Sequence, residues 1–315
     1  MHKLYKARMH DHTTPSFSLR PLTGIRILSL ALNLPGPAAL LRCQEMGAQC
    51  TKLEPVAMHQ AASADAMHTY SSQGYEHLHR GITVIQANLK TQEGQNTLHK
   101  ALSDSDVLLT SFRPNALAKL GLDWTSLHSK YPQLNMVRIF GSTDPAHSNH
   151  AGHDLTYQAE ANLVTNGQLP TSLFADMSGA LMASEAVLQA LFLRSQNHRG
   201  HCLDIGLAEA AQWLALPRQW GMTTPQGDVG GAHAGYRMYR CLDAWVALAA
   251  LEPHFAQRVC AVAGLAQAQG TVEEMRLPST HSAIEAFFQG KTSKEIAAMA
   301  AQSDIPLQVI LSDSK

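Results

Sequence analysis

The stretch Ile25-Arg26-Ile27-Leu28-Ser29-Leu30, followed by Pro35-Gly36-Pro37 and then Cys50-Thr51-Lys52-Leu53, decides the fold class of this 315-residue chain. The first six residues carry four aliphatic side chains and read as a buried strand, and the Pro-Gly-Pro run punctuates the chain after it. Residues 38–46 supply a short helical stretch that Gly47 is placed to end. Residues 50–53 form a second strand, closed by Glu54-Pro55. Strand, turn, helix and strand in that order make a βαβ unit, whose right-handed crossover implies a parallel sheet.

Outward from this unit the alternation continues. Strands are expected at 82–85, 106–110 and 136–140, with helices at 92–103 and 116–120 between them. A loop rich in Ser, Asn, His, Pro and Gly covers 141–152. Residues 177–194 then read as a long amphipathic helix, with Ser184 the one polar exception on its apolar face. The pattern is that of a doubly wound α/β domain, placed at 21–205. Composition shifts to Gly, Thr, Pro and Gln near 221–235, so 206–235 is read as a linker into a smaller α+β region at 236–300. Residues 301–315 are expected to be a short C-terminal return segment. The polar, basic residues 1–20 lack the apolar core of a secretory signal and read as a disordered tail.

Composition removes several function classes. With 45% hydrophobic and 16% charged residues, the chain is too apolar to be disordered. Its 24 basic residues balance 25 acidic ones, which argues against nucleic acid as a partner. No apolar run reaches the length of a membrane span. The five cysteines are odd in number and lack a C-x-x-C pair, which suits reduced thiols in a cytoplasmic protein. The 17 histidines are scattered and read mostly as surface polar residues.

Dinucleotide binding would need G-x-G-x-x-G after the first strand, where this chain has Leu34-Pro35-Gly36-Pro37, and no Walker loop occurs elsewhere. His147, His150 and His153 share a spacing that does not match the zinc helix, so no metal is expected. Gly152-His153-Asp154-Leu155-Thr156-Tyr157 and Ala175-Asp176-Met177-Ser178-Gly179 are more informative. Asp176 stands immediately before the long helix. Taken alone it reads as an N-cap; the same position favours an ionised carboxylate, because a helix N-terminus stabilises negative charge, and places it at the carboxyl end of a sheet, where ligands bind in this architecture.

Five stretches, taken in order, resemble the family III CoA-transferases and the related α-methylacyl-CoA racemases. They are residues 21–28 with Pro35-Gly36-Pro37; Met46-Gly47-Ala48 running to Lys52-Leu53-Glu54-Pro55; and Asp106-Val107-Leu108-Leu109 with Phe112-Arg113-Pro114 and Leu120-Gly121-Leu122. Gly152-His153-Asp154 with Ala175-Asp176, and Tyr239-Arg240-Cys241-Leu242-Asp243 leading to Leu251-Glu252-Pro253-His254-Phe255, complete the set. The resemblance implies a Rossmann-like large domain, a smaller α+β domain, and two chains interlocked as a homodimer, with no cofactor beyond the CoA of the substrate. It implies that Asp176 attacks a thioester in the transferases, and that Asp176 and His153 exchange an α-proton from opposite faces in the racemases. It places Glu252 behind His153 and Arg113, Asp154 and Tyr157 at CoA. Glu252 on its own would start the helix that contains Phe255.

Some positions depart from the family pattern. No arginine stands beside Glu54, Asp243-Ala244 replaces an Asp-Gly turn, Gln44-Glu45 precedes Met46-Gly47-Ala48 in place of the usual aspartate, and the glycine-rich flap is reduced to Gly230-Gly231. The reading favoured is α-proton exchange on a 2-methylacyl-CoA. CoA transfer between carboxylic acids through an aspartyl anhydride is the alternative, and a catalytically weakened acyl-CoA-binding homologue is the third.

Overall fold

A computed structural model of the chain describes residues 19–57, 62–165 and 167–311. Most of the expected tail, 1–18, lies outside the described residues. The chain divides into two compact units, Met1–Leu214 and Ala215–Lys315, and each is taken by itself.

The first unit runs β1 (Arg26–Ser29), α1 (Pro35–Glu45), β2 (Gln49–Glu54), α2 (Ala66–Tyr70), α3 (Ser72–Leu78), β3 (Thr83–Gln86), α4 (Gln92–Ser103), β4 (Val107–Thr110) and α5 (Pro114–Lys119). It continues with α6 (Trp124–Lys130), β5 (Asn135–Phe140), α7 (Asp154–Glu160), α8 (Phe174–Asn197), β6 (Cys202–Gly206) and α9 (Leu207–Leu214). The six strands form one parallel sheet in the order β3-β2-β1-β4-β5-β6. Side chains alternate across it. Ile27, Val107 and Leu109 face the helices α1 and α8, whereas Leu28, Leu108 and Met136 face α4, α5 and α6. Both faces are covered, which is why the central strands are apolar runs rather than alternating ones.

Pro35-Gly36-Pro37, expected as a turn, forms the first turn of α1. A first-turn proline forfeits no helical hydrogen bond, because the N–H groups there have no partner within the helix. Gly36 is required at that spot, since a methyl group on it would collide with the Ala31 side chain. Ser184, the exception on α8, is buried and accepts a hydrogen bond from Arg42 Nε of α1 at 3.0 Å. Strand β6 was not expected, because Asp204 interrupts its apolar pattern. It is an edge strand, and Asp204 sits opposite Arg138 of β5, which grips it with two hydrogen bonds of 2.6 and 2.7 Å.

A fully buried charge cluster closes the carboxyl end of β2. Lys52 Nζ lies 2.9 Å from Glu54 Oε1, 2.5 Å from Asp65 Oδ2 and 2.8 Å from His79 Nε2. His79 Nδ1 meets only the Tyr75 carbonyl, at 2.7 Å, so it carries the ring proton and Nε2 accepts from the ammonium. Burial and the Lys52 charge both push the His79 pKa down, in keeping with a neutral ring. Glu54 also accepts from Ser63 and Tyr75; burial opposes its ionisation, but those hydrogen bonds and Lys52 outweigh it and hold its pKa low. Glu54, Asp65 and His79 are the one set of three potential metal ligands within reach of each other among the described residues, and the Lys52 ammonium takes the place of a cation there.

The second unit holds α10 (Leu216–Gln219), β7 (Tyr236–Arg240), β8 (Ala244–Ala249), α11 (Pro253–Val262), α12 (Val272–Met275), α13 (Pro278–Gln289), α14 (Ser293–Ser303) and β9 (Leu307–Leu311). Its antiparallel sheet, ordered β7-β8-β9, buries Tyr239, Val246 and Leu248 against Val259, Ile284, Phe288 and Ile296 of the helices. Two stretches differ from their expected form. Residues 206–235, read as a linker, contain α9, α10 and a single 3-10 turn at Asp228–Gly230. Residues 307–311, read as part of a return segment, add the third strand to the small sheet by pairing with β8. Among the described residues no helix is long and apolar enough to cross a membrane.

Replacing Lys52 by Met would leave Glu54 and Asp65 as buried carboxylates without their counter-ion. The expected loss is about 3–5 kcal/mol of unfolding free energy. Urea titration of Lys52→Met against the parent checks it, and an unchanged midpoint contradicts this account of the cluster.

Candidate active site

The strand order reverses between β1 and β4, and a crevice at the carboxyl end of that pair is where ligands bind in open parallel sheets. Here the crevice is a cavity of about 210 Å³. It is lined by Leu32 and Asn33 after β1, Ser111 and Arg113 after β4, and Phe140 and Gly141 at the end of β5. His150, Gly152, His153, Tyr157 and Asp176 line it as well. Four of the six residues expected from the sequence (Asp176, His153, Arg113 and Tyr157) therefore line one cavity.

Asp176 is the third residue of α8, inside the first turn rather than ahead of it, because the helix opens at Phe174 with Leu173 as its N-cap. Its N–H donates to Asp154 Oδ1 at 3.0 Å. The side chain is partly buried, and burial, reinforced by the nearby Asp154 charge, pushes its pKa up to about 7. The cap position expected from the sequence is thus replaced by a first-turn position, and the expected ionised carboxylate by one that shares its proton near neutrality. A carboxyl group poised there can both take and return a proton.

His153 is exposed at the N-terminus of α7, where its carbonyl accepts from the Thr156 hydroxyl at 2.7 Å and its N–H donates to the same oxygen at 3.1 Å. This fixes the backbone at the cavity that His153 lines. Tyr157 packs into space left by two glycines. A methyl on Gly141 or on Gly152 would collide with the phenol oxygen. Burial, then the Asp176 charge, raises the Tyr157 pKa. Arg113 precedes α5, is exposed, and spends one weak hydrogen bond, 3.3 Å, on the Asn149 carbonyl.

Asp154 is different. It is buried, with Oδ1 on the Asp176 N–H and Oδ2 accepting from Gln158 Nε2 at 2.5 Å, so its carboxylate is engaged within the protein. Glu252 is the N-cap residue of α11 and belongs to the second unit. His147 pairs with Asp144 at 2.7 Å and stands edge-on to His150.

Sequence reasoning missed Asn33 and Gly141. Asn33 takes a left-handed backbone, φ 65°, and its N–H is held at 2.8 Å by Asp65 Oδ1 of the Lys52 cluster. An asparagine just after a strand, and a glycine ending another, were the available signals. Glu209 of α9 was missed as well; its Oε1 accepts from Ser142 and from the N–H and hydroxyl of Thr143, bracing the loop after β5.

The site is thus a carboxyl group and an imidazole lining the switch-point crevice of an open parallel sheet. The chain belongs to the CoA-transferase family III, whose pattern matches residues 22–315. Among curated relatives it is 28% identical to α-methylacyl-CoA racemase of Mus musculus over 74% of this chain and 62% of that one. It is 31% identical to the succinyl-CoA–L-malate CoA-transferase alpha subunit of Chloroflexus aurantiacus, over 60% of this chain and 47% of that one. The chain thus spans about half to three-fifths of the length of these relatives. The fold is shared with a hypothetical protein of Mycobacterium tuberculosis, at a TM-score of 0.78 and 22% identity, over 94% of this chain and 84% of that one.

The raised Asp176 pKa has a thermodynamic consequence. The native state holds this proton more tightly than the unfolded chain, whose aspartates titrate near 3.9. The resulting stability is fully present below about pH 4 and is lost as pH rises through about 7. Asp176→Asn, which cannot ionise, is expected to gain melting temperature over the parent progressively from pH 4 to pH 8. Scanning calorimetry across that range checks it; a gain independent of pH contradicts a raised pKa.

Proposed function

We propose that this chain exchanges the α-proton of a 2-methylacyl-CoA thioester by two-base catalysis. The observation that carries the reading is that Asp176 and His153 line one cavity, with the Asp176 carboxyl poised near neutrality. In one direction the Asp176 carboxylate removes the α-proton, the electron pair passes to the thioester carbonyl as an enolate, and the His153 imidazolium protonates the opposite face. In the other direction the roles exchange. Arg113 and Tyr157 are assigned to the CoA moiety, the guanidinium to a phosphate and the phenol to the neighbouring part of the ligand. No cofactor beyond CoA enters this chemistry.

A second reading has its own support. The Asp176 carboxyl has no hydrogen-bond donor on its oxygens among the described residues, so it is free to act as a nucleophile on a thioester carbonyl, and a relative named a CoA-transferase is 31% identical. A homodimer is part of both readings. Its support is the row of exposed apolar side chains at the start of α8, Phe174, Met177 and Leu181, with Trp213 of α9.

One experiment separates the two reactions. Incubation with a chiral 2-methylacyl-CoA in deuterated water, with and without an acceptor acid, is expected to give deuterium at the α-carbon and loss of chirality without acceptor. Asp176→Asn and His153→Ala should each lower that exchange by about 10²–10⁴-fold. CoA transfer that survives in His153→Ala, with no exchange in the parent, would replace this reading by the transferase one.

Arg113→Ala is expected to weaken CoA binding about tenfold or more, the order of a charge-assisted contact, with the melting temperature within 1–2 degrees of the parent's, about what an exposed substitution allows. Calorimetric titration with CoA checks it, and unchanged affinity removes Arg113 from the site.

A further inference from the structure

We propose that Asp154 is a positioning residue for Asp176: its buried carboxylate anchors the first turn of α8 through the Asp176 N–H and holds a negative charge beside the reacting carboxyl. The inference rests on the reading of Asp176 as the group that reacts. It assigns the Asp154 side chain a task inside the protein, in place of a contact with CoA.

The geometry is specific. Asp154 opens α7 and is only 5% exposed. Oδ1 accepts the Asp176 N–H at 3.0 Å, and Oδ2 accepts from Gln158 Nε2 at 2.5 Å. Gln158 is fully buried, and the same nitrogen donates to the Ser172 carbonyl at 3.2 Å. One carboxylate and one amide, a single turn apart on α7, therefore grip the chain on both sides of the point where α8 begins. None of the ion pairs among the described residues includes Asp154. Its charge is held by neutral N–H groups, so it is not cancelled by a cation before it reaches Asp176.

Two carboxyl groups this close divide one task unequally. Asp154 receives the donors, Asp176 receives none on its oxygens, and the Asp154 charge adds to burial in keeping the proton on Asp176. The other titratable groups facing Asp176 are Tyr157 on α7, His153 at its N-terminus, His150 in the preceding loop and Arg113 after β4. α1 and α9 contribute Pro35 and Leu207 to the cavity, neither of them titratable. Glu209 of α9 acts on Tyr157 rather than on Asp176.

The test is carboxyl-carbon NMR of the full chain labelled at aspartate, titrated without substrate, with Asp176→Asn used to assign the Asp176 resonance. In the parent, Asp176 is expected to titrate near pH 7. Asp154→Asn keeps an oxygen for the Asp176 N–H and removes the charge. It should lower the Asp176 midpoint by about one pH unit or more, the usual effect of a close like charge. The acid limb of the exchange kcat profile should move the same way, with KM for the acyl-CoA nearly constant. An Asp176 midpoint that does not move in Asp154→Asn overturns the proposal, as does a raised KM with an unmoved midpoint, the signature of a direct CoA contact. If Asp154→Asn does not fold, Asp154→Ser, which also removes the charge and keeps an oxygen at that position, is read in the same way, and an unmoved Asp176 midpoint in it overturns the proposal. Absence of α-proton exchange in the parent, with the Asp176 midpoint lowered in Asp154→Asn, would remove the proposed reaction and leave this assignment standing.

Discussion

The ammonium of Lys52 is the interaction on which the cleft side of the sheet depends. It sits at the carboxyl end of β2 with no solvent contact and binds Glu54, Asp65 and His79 together. Charges removed from water persist only when each is met by a partner of opposite sign or by hydrogen bonds, and here every group has both or is neutral. Asp65 then passes the constraint onward. Its second oxygen caps α2 at Met67 and captures the N–H of Asn33, which holds the β1 end in a left-handed turn at the rim of the cavity. A buried cluster at the end of β2 thus shapes one wall of the cavity.

Helix starts supply another part of the lining. α7 and α8 begin side by side, joined by Asp154, Gln158 and the Asp176 N–H, so the Asp176 carboxyl belongs to a rigid element rather than to a loop. Burial beside another carboxylate disfavours the charged form of Asp176. The protein tolerates this local cost because the sheet and its two helical layers supply stability elsewhere, a common division between working sites and scaffold. Glycines at 141 and 152 serve the same end by leaving room for the Tyr157 ring.

What was legible depended on the range of the interactions involved. The strands around Ile27, Leu108 and Val137 are short, apolar and doubly covered, so their pattern announced them. Helix starts were less clear. Pro35-Gly36-Pro37 looks like a turn in any local reading and becomes a helix only because a first turn tolerates proline. Strand β6 hides behind Asp204, whose presence makes sense only once Arg138 lies opposite it. Strand β9, Leu307-Gln308-Val309-Ile310-Leu311, is apolar and was read only as part of a return segment; its pairing partner, β8, lies far earlier in the chain.

By itself the sequence determined the parallel α/β core, since buried strand runs separated by helical periodicity leave few alternatives. It also determined the identities of Asp176, His153, Arg113 and Tyr157 as the candidates for chemistry, through motifs whose order carries information. Only the tertiary structure decided that these four line one cavity and that Asp176 lies within a helical turn. It alone turned Asp154 inward toward Asp176 and placed Asn33 and Gly141 in the walls. The reason is physical: burial, a neighbouring charge and a captured N–H arise between residues far apart in the chain, and those long-range contacts set proton affinity and position where local pattern cannot.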